Sequence, residues 1–154
     1  MKNTNPQAAL EHINITVSDP KAMAARLCEL LGWHIRWFGP SMNGGTTYHV
    51  GSKDSYLALY TRANIGTYSG EDMIGHMSHI GITVPDLAAL ARKILALGFT
   101  PYYFGDYTPG QRFYVRLDDN IEFEFISYEP QKSDWWNIFQ TELSNMSKAG
   151  IARK

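Results

Sequence analysis

Two histidines and two glutamates in this sequence stand where metal chemistry could be done. His12 opens the run His-Ile-Asn-Ile-Thr-Val, His79 opens His-Ile-Gly-Ile-Thr-Val, and Glu122 and Glu124 alternate with aromatics in Ile-Glu-Phe-Glu-Phe. Two imidazoles and one carboxylate make the three-ligand set of an open catalytic site, with positions left for water or substrate. Such a set suits Fe(II), Mn(II), Zn(II), Co(II) or Ni(II), and ligand type alone does not choose among them. A histidine alone on a strand is more often a hydrogen-bonded residue than a ligand. These two are not alone, because an internal repeat relates them.

The repeat sets Leu10–Asp19 beside Met77–Asp86, 67 residues later, with six of ten positions identical. Each copy runs on into a helical pattern, residues 21–33 and 87–99, that ends on a glycine and an aromatic. Gly32 and Gly98 read as residues just past a helix end, and Asp19 and Asp86 as N-caps, Asp19 followed by Pro20 at the first helical position. Short runs rich in β-branched and aromatic residues follow. They predict strands over about 34–38, 46–50 and 55–61, then 100–104, 112–117 and 121–128. The pattern βαβββ thus occurs twice, as modules 10–62 and 77–129, with residues 1–9 an extension, 63–76 a linker and 130–154 a tail. In that tail Trp135, Trp136, Phe139 and Leu143 have helical spacing and read as packing residues.

Side chains alternate along a strand, so each run divides into two faces. Ile13, Ile15 and Val17 form an apolar face for a helix to cover, leaving His12, Asn14 and Thr16 opposite; Ile80, Ile82 and Val84 leave His79, Gly81 and Thr83. Phe123 and Phe125 leave Glu122 and Glu124 together, a costly place for carboxylates unless a cation pairs with them.

The bulk properties exclude other classes. With 154 residues, 14 basic against 15 acidic and 44% hydrophobic, the chain can bury a core, and no basic stripe could track a phosphate backbone. Nucleic acid is not an expected partner. Cys28 is the only cysteine, so neither a disulfide framework nor a CxxC knuckle exists within one chain. No secretory leader or membrane-length apolar run is visible, and a cytoplasmic protein without a membrane partner is expected.

The repeat, the H-I-x-I-T-V-x-D opening of each half and the closing D-D-N-I-E-F-E-F resemble the vicinal oxygen chelate superfamily, the glyoxalase and bleomycin-resistance group, over residues 10–129. The resemblance implies an α+β fold, two tandem βαβββ modules forming a cup-shaped mixed sheet, here with a helical tail. It implies one divalent metal with ligands from the first, fourth, fifth and eighth strands. His12 and His79 match, and the closing I-E-F motif puts the glutamate at Glu122. Ala58 falls where glyoxalase I has its fourth-strand glutamate, leaving three ligands, as in the extradiol dioxygenases and fosfomycin-resistance thiol transferases. With Glu122 as ligand, the hairpin from Leu117 is shorter than the usual D-P-D-G-x-x-I-E. Glu124 therefore stays an alternative, since both glutamates face the same way.

In this reading Glu124 is the candidate general base, or else pairs with Arg112 or Arg116. Asn14, Tyr56, Tyr60 and Tyr114 line the substrate cavity, with Tyr48, Tyr102 and Tyr103 as further wall. His76 belongs to the linker, and His34 and His49, lacking repeat partners, stay outside the site. The expected function is a metal-dependent lyase, isomerase or thiol transferase acting on a small oxygen-chelating molecule, in a homodimer. An Fe(II) extradiol dioxygenase and a metal-free binding protein are the alternatives.

Overall fold

The computed structural model describes residues 8–67, 74–132 and 134–150. Parts of the expected extension, linker and tail lie outside these. Two units divide between Thr67 and Tyr68.

In the first unit β1 (His12–Thr16) leads into α1 (Pro20–Leu31), then β2 (His34–Ser41), β3 (Gly45–Gly51) and β4 (Tyr56–Tyr60). The sheet order is β1-β4-β3-β2, with β1 parallel to β4 and the others antiparallel. The helix starts as its cap signal dictates: the Asp19 side chain accepts from the Ala22 N–H, and Pro20, which has no N–H to lose, takes the first position. It ends where Gly32 turns left-handed at φ 66° and donates its N–H to the Cys28 carbonyl. Met23, Ala24, Leu27 and Leu30 of α1 are buried, as are Ile15, Leu57, Leu59 and Val50 on the apolar sheet face. Removing this apolar surface from water holds the layers together.

The second unit repeats the plan. β5 (Ile80–Thr83), α2 (Leu87–Ala96), β6 (Tyr102–Tyr107), β7 (Gly110–Arg116) and β8 (Glu122–Ser127) give the order β5-β8-β7-β6. Asp86 caps α2 by accepting from the Ala89 N–H. Phe113, Val115, Phe123 and Phe125 lie fully buried opposite the polar face. α3 (Trp135–Lys148) adds Trp135 and Phe139 to this core. Arg92 of α2 holds Glu142 of α3 through two hydrogen bonds of 3.0 and 3.1 Å. Gln131 pins the approach to α3, accepting from the Leu87 N–H and donating to Pro85 O and Ser127 Oγ.

Several boundaries differ from the sequence reading. β2 extends to Ser41 because it pairs with β3 down to Gly45. β6 begins at Tyr102 rather than 100 and runs to Tyr107 through a bulge that places Tyr103 at φ 57°. The Leu117–Ile121 hairpin is one 3-10 turn, Asp118–Asn120, with Asp119 and Asn120 left-handed, a conformation that short polar side chains tolerate better than most.

Candidate functional site

The uncovered face of the first unit carries a linked set of aromatic and charged side chains. His12 and Asn14 are exposed there, as the alternation requires. His12 Nδ1 bonds the Glu11 carboxylate, and the His12 ring stacks on Tyr56 at 4.9 Å. Tyr56 also stacks on His49 at 4.7 Å and lies under the Arg36 guanidinium at 4.6 Å. His12 lowers the Glu11 pKa through that hydrogen bond, and burial pushes the Tyr56 phenol up. His49, left out on sequence grounds, belongs to this face: it pairs with Ala58 in the β3–β4 register and packs on Trp37. Burial holds its pKa down, with His12 adding to the effect. Strand parity after the Asn-Gly-Gly turn was the signal that could have found it. The same parity removes Tyr48 from the expected cavity wall, because Tyr48 pairs with Leu59 on the helix-covered face and stacks on Phe38. Tyr60 shares the open face, and its hydroxyl donates to the Met42 carbonyl at 2.9 Å.

In the second unit the polar face is a set of carboxylates held by phenols and guanidiniums. Glu124 Oε1 accepts from Arg112 Nη1 and from the Tyr114 hydroxyl, each at 3.0 Å, while Oε2 lies 3.3 Å from His79 Nε2. Glu122 Oε2 accepts from the Tyr102 hydroxyl at 2.5 Å and lies 3.3 Å from Arg116 Nη2. Burial, reinforced by the carboxylate each phenol serves, pushes the Tyr102 and Tyr114 pKa values up to about 12. The cations that make these carboxylates tolerable include two arginines of the neighbouring strand.

Register separates the two glutamates. Asn14 pairs with Ala58 in the first unit and Gly81 with Glu124 in the second, and Asn14 and Gly81 are equivalent in the repeat. Glu124 is therefore the counterpart of Ala58, and Glu122 the counterpart of Tyr56. Gly81 leaves the space across which Glu124 lies: a Cβ added there would meet Oε2 at 3.5 Å. The structure thus brings Glu124 to His79, and ties Glu122 to Tyr102 and Arg116. Glu124 is also the glutamate that Arg112 holds, so of the two expectations for it, ion pairing is the one seen.

The Glyoxalase/Bleomycin resistance protein/Dioxygenase superfamily model matches residues 9–125. The chain belongs to this superfamily. Its fold is shared with glyoxalase I of Leishmania major, at 17% identity and a TM-score of 0.65 over 95% of this chain and 100% of that one. The fosfomycin resistance protein FosX of Mesorhizobium loti is 19% identical, with a TM-score of 0.60 over 81% and 94%. TnmS3, an antibiotic binding protein of a Streptomyces species, is 15% identical, with a TM-score of 0.61 over 79% and 96%. By sequence, none of the curated proteins matches the chain.

A metal ion on these open faces is an expectation of the family resemblance, and imidazole and carboxylate are donor types that a divalent transition metal accepts. In both units the side chain before the repeated histidine engages its Nδ1: Glu11 for His12, and Ser78 Oγ at 3.0 Å for His79. The remaining nitrogen is Nε2, which in the second unit lies 3.3 Å from Glu124 Oε2, and an outer partner on Nδ1 is what fixes the ring of a metal-binding histidine. Among the described residues of either unit taken alone, no group of three or more His, Cys, Asp and Glu is gathered to hold an ion.

Proposed function

We propose that this chain is a metal-dependent glyoxalase-like enzyme of the lyase, isomerase or thiol-transferase kind, acting on a small oxygen-chelating organic molecule. Its metal ligands would be His12, His79 and one carboxylate of β8. The observation that carries the reading is the paired arrangement of Glu11 on His12 and Ser78 on His79. Equivalent positions in the two modules engage the same nitrogen, Nδ1, and His79 turns its Nε2 to the carboxylate of Glu124, an arrangement that packing alone does not require.

Of the two carboxylates, Glu124 is the better supported. It lies against His79 and is the register counterpart of Ala58, the empty glyoxalase I corner. With Glu124 as the acid, Leu117–Glu124 regains the full length of D-P-D-G-x-x-I-E, and left-handed Asn120 stands where that motif has glycine. Glu124 is then a ligand and not the general base, and the Glu122 of the sequence motif becomes a residue of the ligand cavity. A bound divalent ion would act as a Lewis acid toward a developing oxyanion. The chain's own residues hold the rest: Arg112 and Tyr114 orient Glu124, and the Tyr102 hydroxyl holds Glu122.

A metal-free binding protein is the second reading, favoured because Arg112 and Arg116 already neutralise both carboxylates. An Fe(II) dioxygenase is the third. Elemental analysis of protein purified without added metal and then reloaded separates them. The expected result is one equivalent of metal in the wild type, in Glu122→Gln and in no ligand variant: His12→Ala, His79→Ala and Glu124→Gln all lose it. Substoichiometric metal in every sample, wild type included, would remove both enzyme readings. Iron, together with oxygen consumption on catechols, would select the dioxygenase.

A further inference from the structure

Beside the metal-ligand face of the second unit lies a cavity of about 420 Å³ lined by Tyr102, Tyr103, Phe104, Gly105, Tyr107, Tyr114 and Glu122. Its size is within the ~300–1,000 Å³ that encloses drug-sized molecules, far more than a short oxo-aldehyde would fill. Five of its seven lining residues are aromatic, so ring stacking dominates what it can offer.

The rings are held in place from behind. Phe104 stacks on Trp136 of α3 at 5.1 Å with planes 13° apart. Arg112 sits over the Tyr107 ring at 4.5 Å. Gly105 is required for that ring to lie where it does, since a Cβ there would come within 2.6 Å of Tyr107 Cε1.

Tyr103 is the exception. It is 80% exposed and sits at φ 57°, a conformation costly for an aromatic residue, with its ring edge-on to Tyr114 at 6.2 Å. Strain of this kind gathers at ligand clamps. The one charged group in the lining is Glu122, whose two protein partners both sit on Oε2, leaving Oε1 without one among the described residues. An organic cation gains little from Glu122, because Arg116 already lies 3.3 Å from that carboxylate.

We propose that this cavity binds a neutral, planar, multi-ring aromatic molecule carrying a hydroxyl or amino donor, with Tyr103 closing over its rings and Glu122 accepting its hydrogen bond. The assignment deepens the small-molecule reading of this face and rests on it, but it needs no metal. It is therefore tested on full-length protein stripped with EDTA, by calorimetric titration with chrysin, its unhydroxylated parent flavone, and tetramethylammonium. Chrysin should saturate one site, flavone should bind about tenfold more weakly for want of the donor, and tetramethylammonium should not bind. Tyr103→Gly, which removes the ring and relieves the backbone, should weaken chrysin about tenfold without lowering Tm. Gly105→Val, with unchanged circular dichroism, should abolish binding.

Failure of chrysin to saturate the wild type, equal affinity for flavone, or unaltered binding in Tyr103→Gly would overturn the assignment. So would preference for tetramethylammonium. Loss of metal stoichiometry with chrysin binding intact would remove the metal reading alone.

Discussion

Arg112 and Arg116 both serve glutamates of β8, yet their surroundings set different stakes. The Arg112 and Glu124 side chains are each 12% exposed, whereas that of Arg116 is 42% exposed. Removing one partner of a buried pair strands the other charge, so Arg112→Met should cost about 3–5 kcal/mol in urea unfolding. Arg116→Met should cost under about 1 kcal/mol. Similar losses for both would mean that burial does not govern these pairs. His49 makes a second prediction. Burial lowers its folded-state pKa, so at acid pH the unfolded chain binds a proton the native state refuses. Stability is then lost as pH falls through the unfolded value of about 6.5. Glu11, His12, Arg36 and Tyr56 share that surface. The urea midpoint should fall less between pH 7.5 and pH 5.5 in His49→Gln than in the wild type. An identical fall in both would show that His49 does not set the acid response.

Among the elements, α3 has the most to reveal. It begins at Asp134 in a left-handed conformation without a side-chain cap, so packing and the Arg92–Glu142 pair, not local signals, hold it. Phe139 is fully buried and lies 5.3 Å from the Trp136 ring that backs Phe104. Phe139→Ala should cost about 3–5 kcal/mol, and Gln131→Ala about 1–3 kcal/mol by stranding the Leu87 N–H that it caps. Both are read from chemical denaturation followed by tryptophan fluorescence. A change below 1 kcal/mol for Phe139→Ala would mean that α3 is dispensable to the second unit. The strands and helices of both modules were legible because period-two alternation, capping aspartates and terminal glycines are local signals. The β6 bulge was not, since Tyr103 is left-handed only because β6 and β7 pair on either side of it.

For the molecule as a whole, β2 is an edge strand with Trp37 50% and Phe38 63% exposed, and Met42 beyond its end 79% exposed. Apolar surface of this kind on a strand that is an edge among the described residues is where a partner would pack, and the homodimer expected from the family resemblance is to be tested there. Sedimentation equilibrium at micromolar concentration should give twice the chain mass, and Trp37→Lys with Phe38→Lys should return it to one. A wild-type monomer would remove the expectation.

Residue order was enough for the paired modules, the covered and open faces of β1, β5 and β8, and the equivalence of His12 with His79, because alternation and repetition are properties of the chain itself. It could not separate Glu122 from Glu124, which share a face, nor bring His49 to Ala58, which lies on a different strand. Those outcomes belong to inter-strand register, and hydrogen bonding between distant segments sets the register. The carboxylate that meets His79 is selected only when β8 has slid into place beside β5.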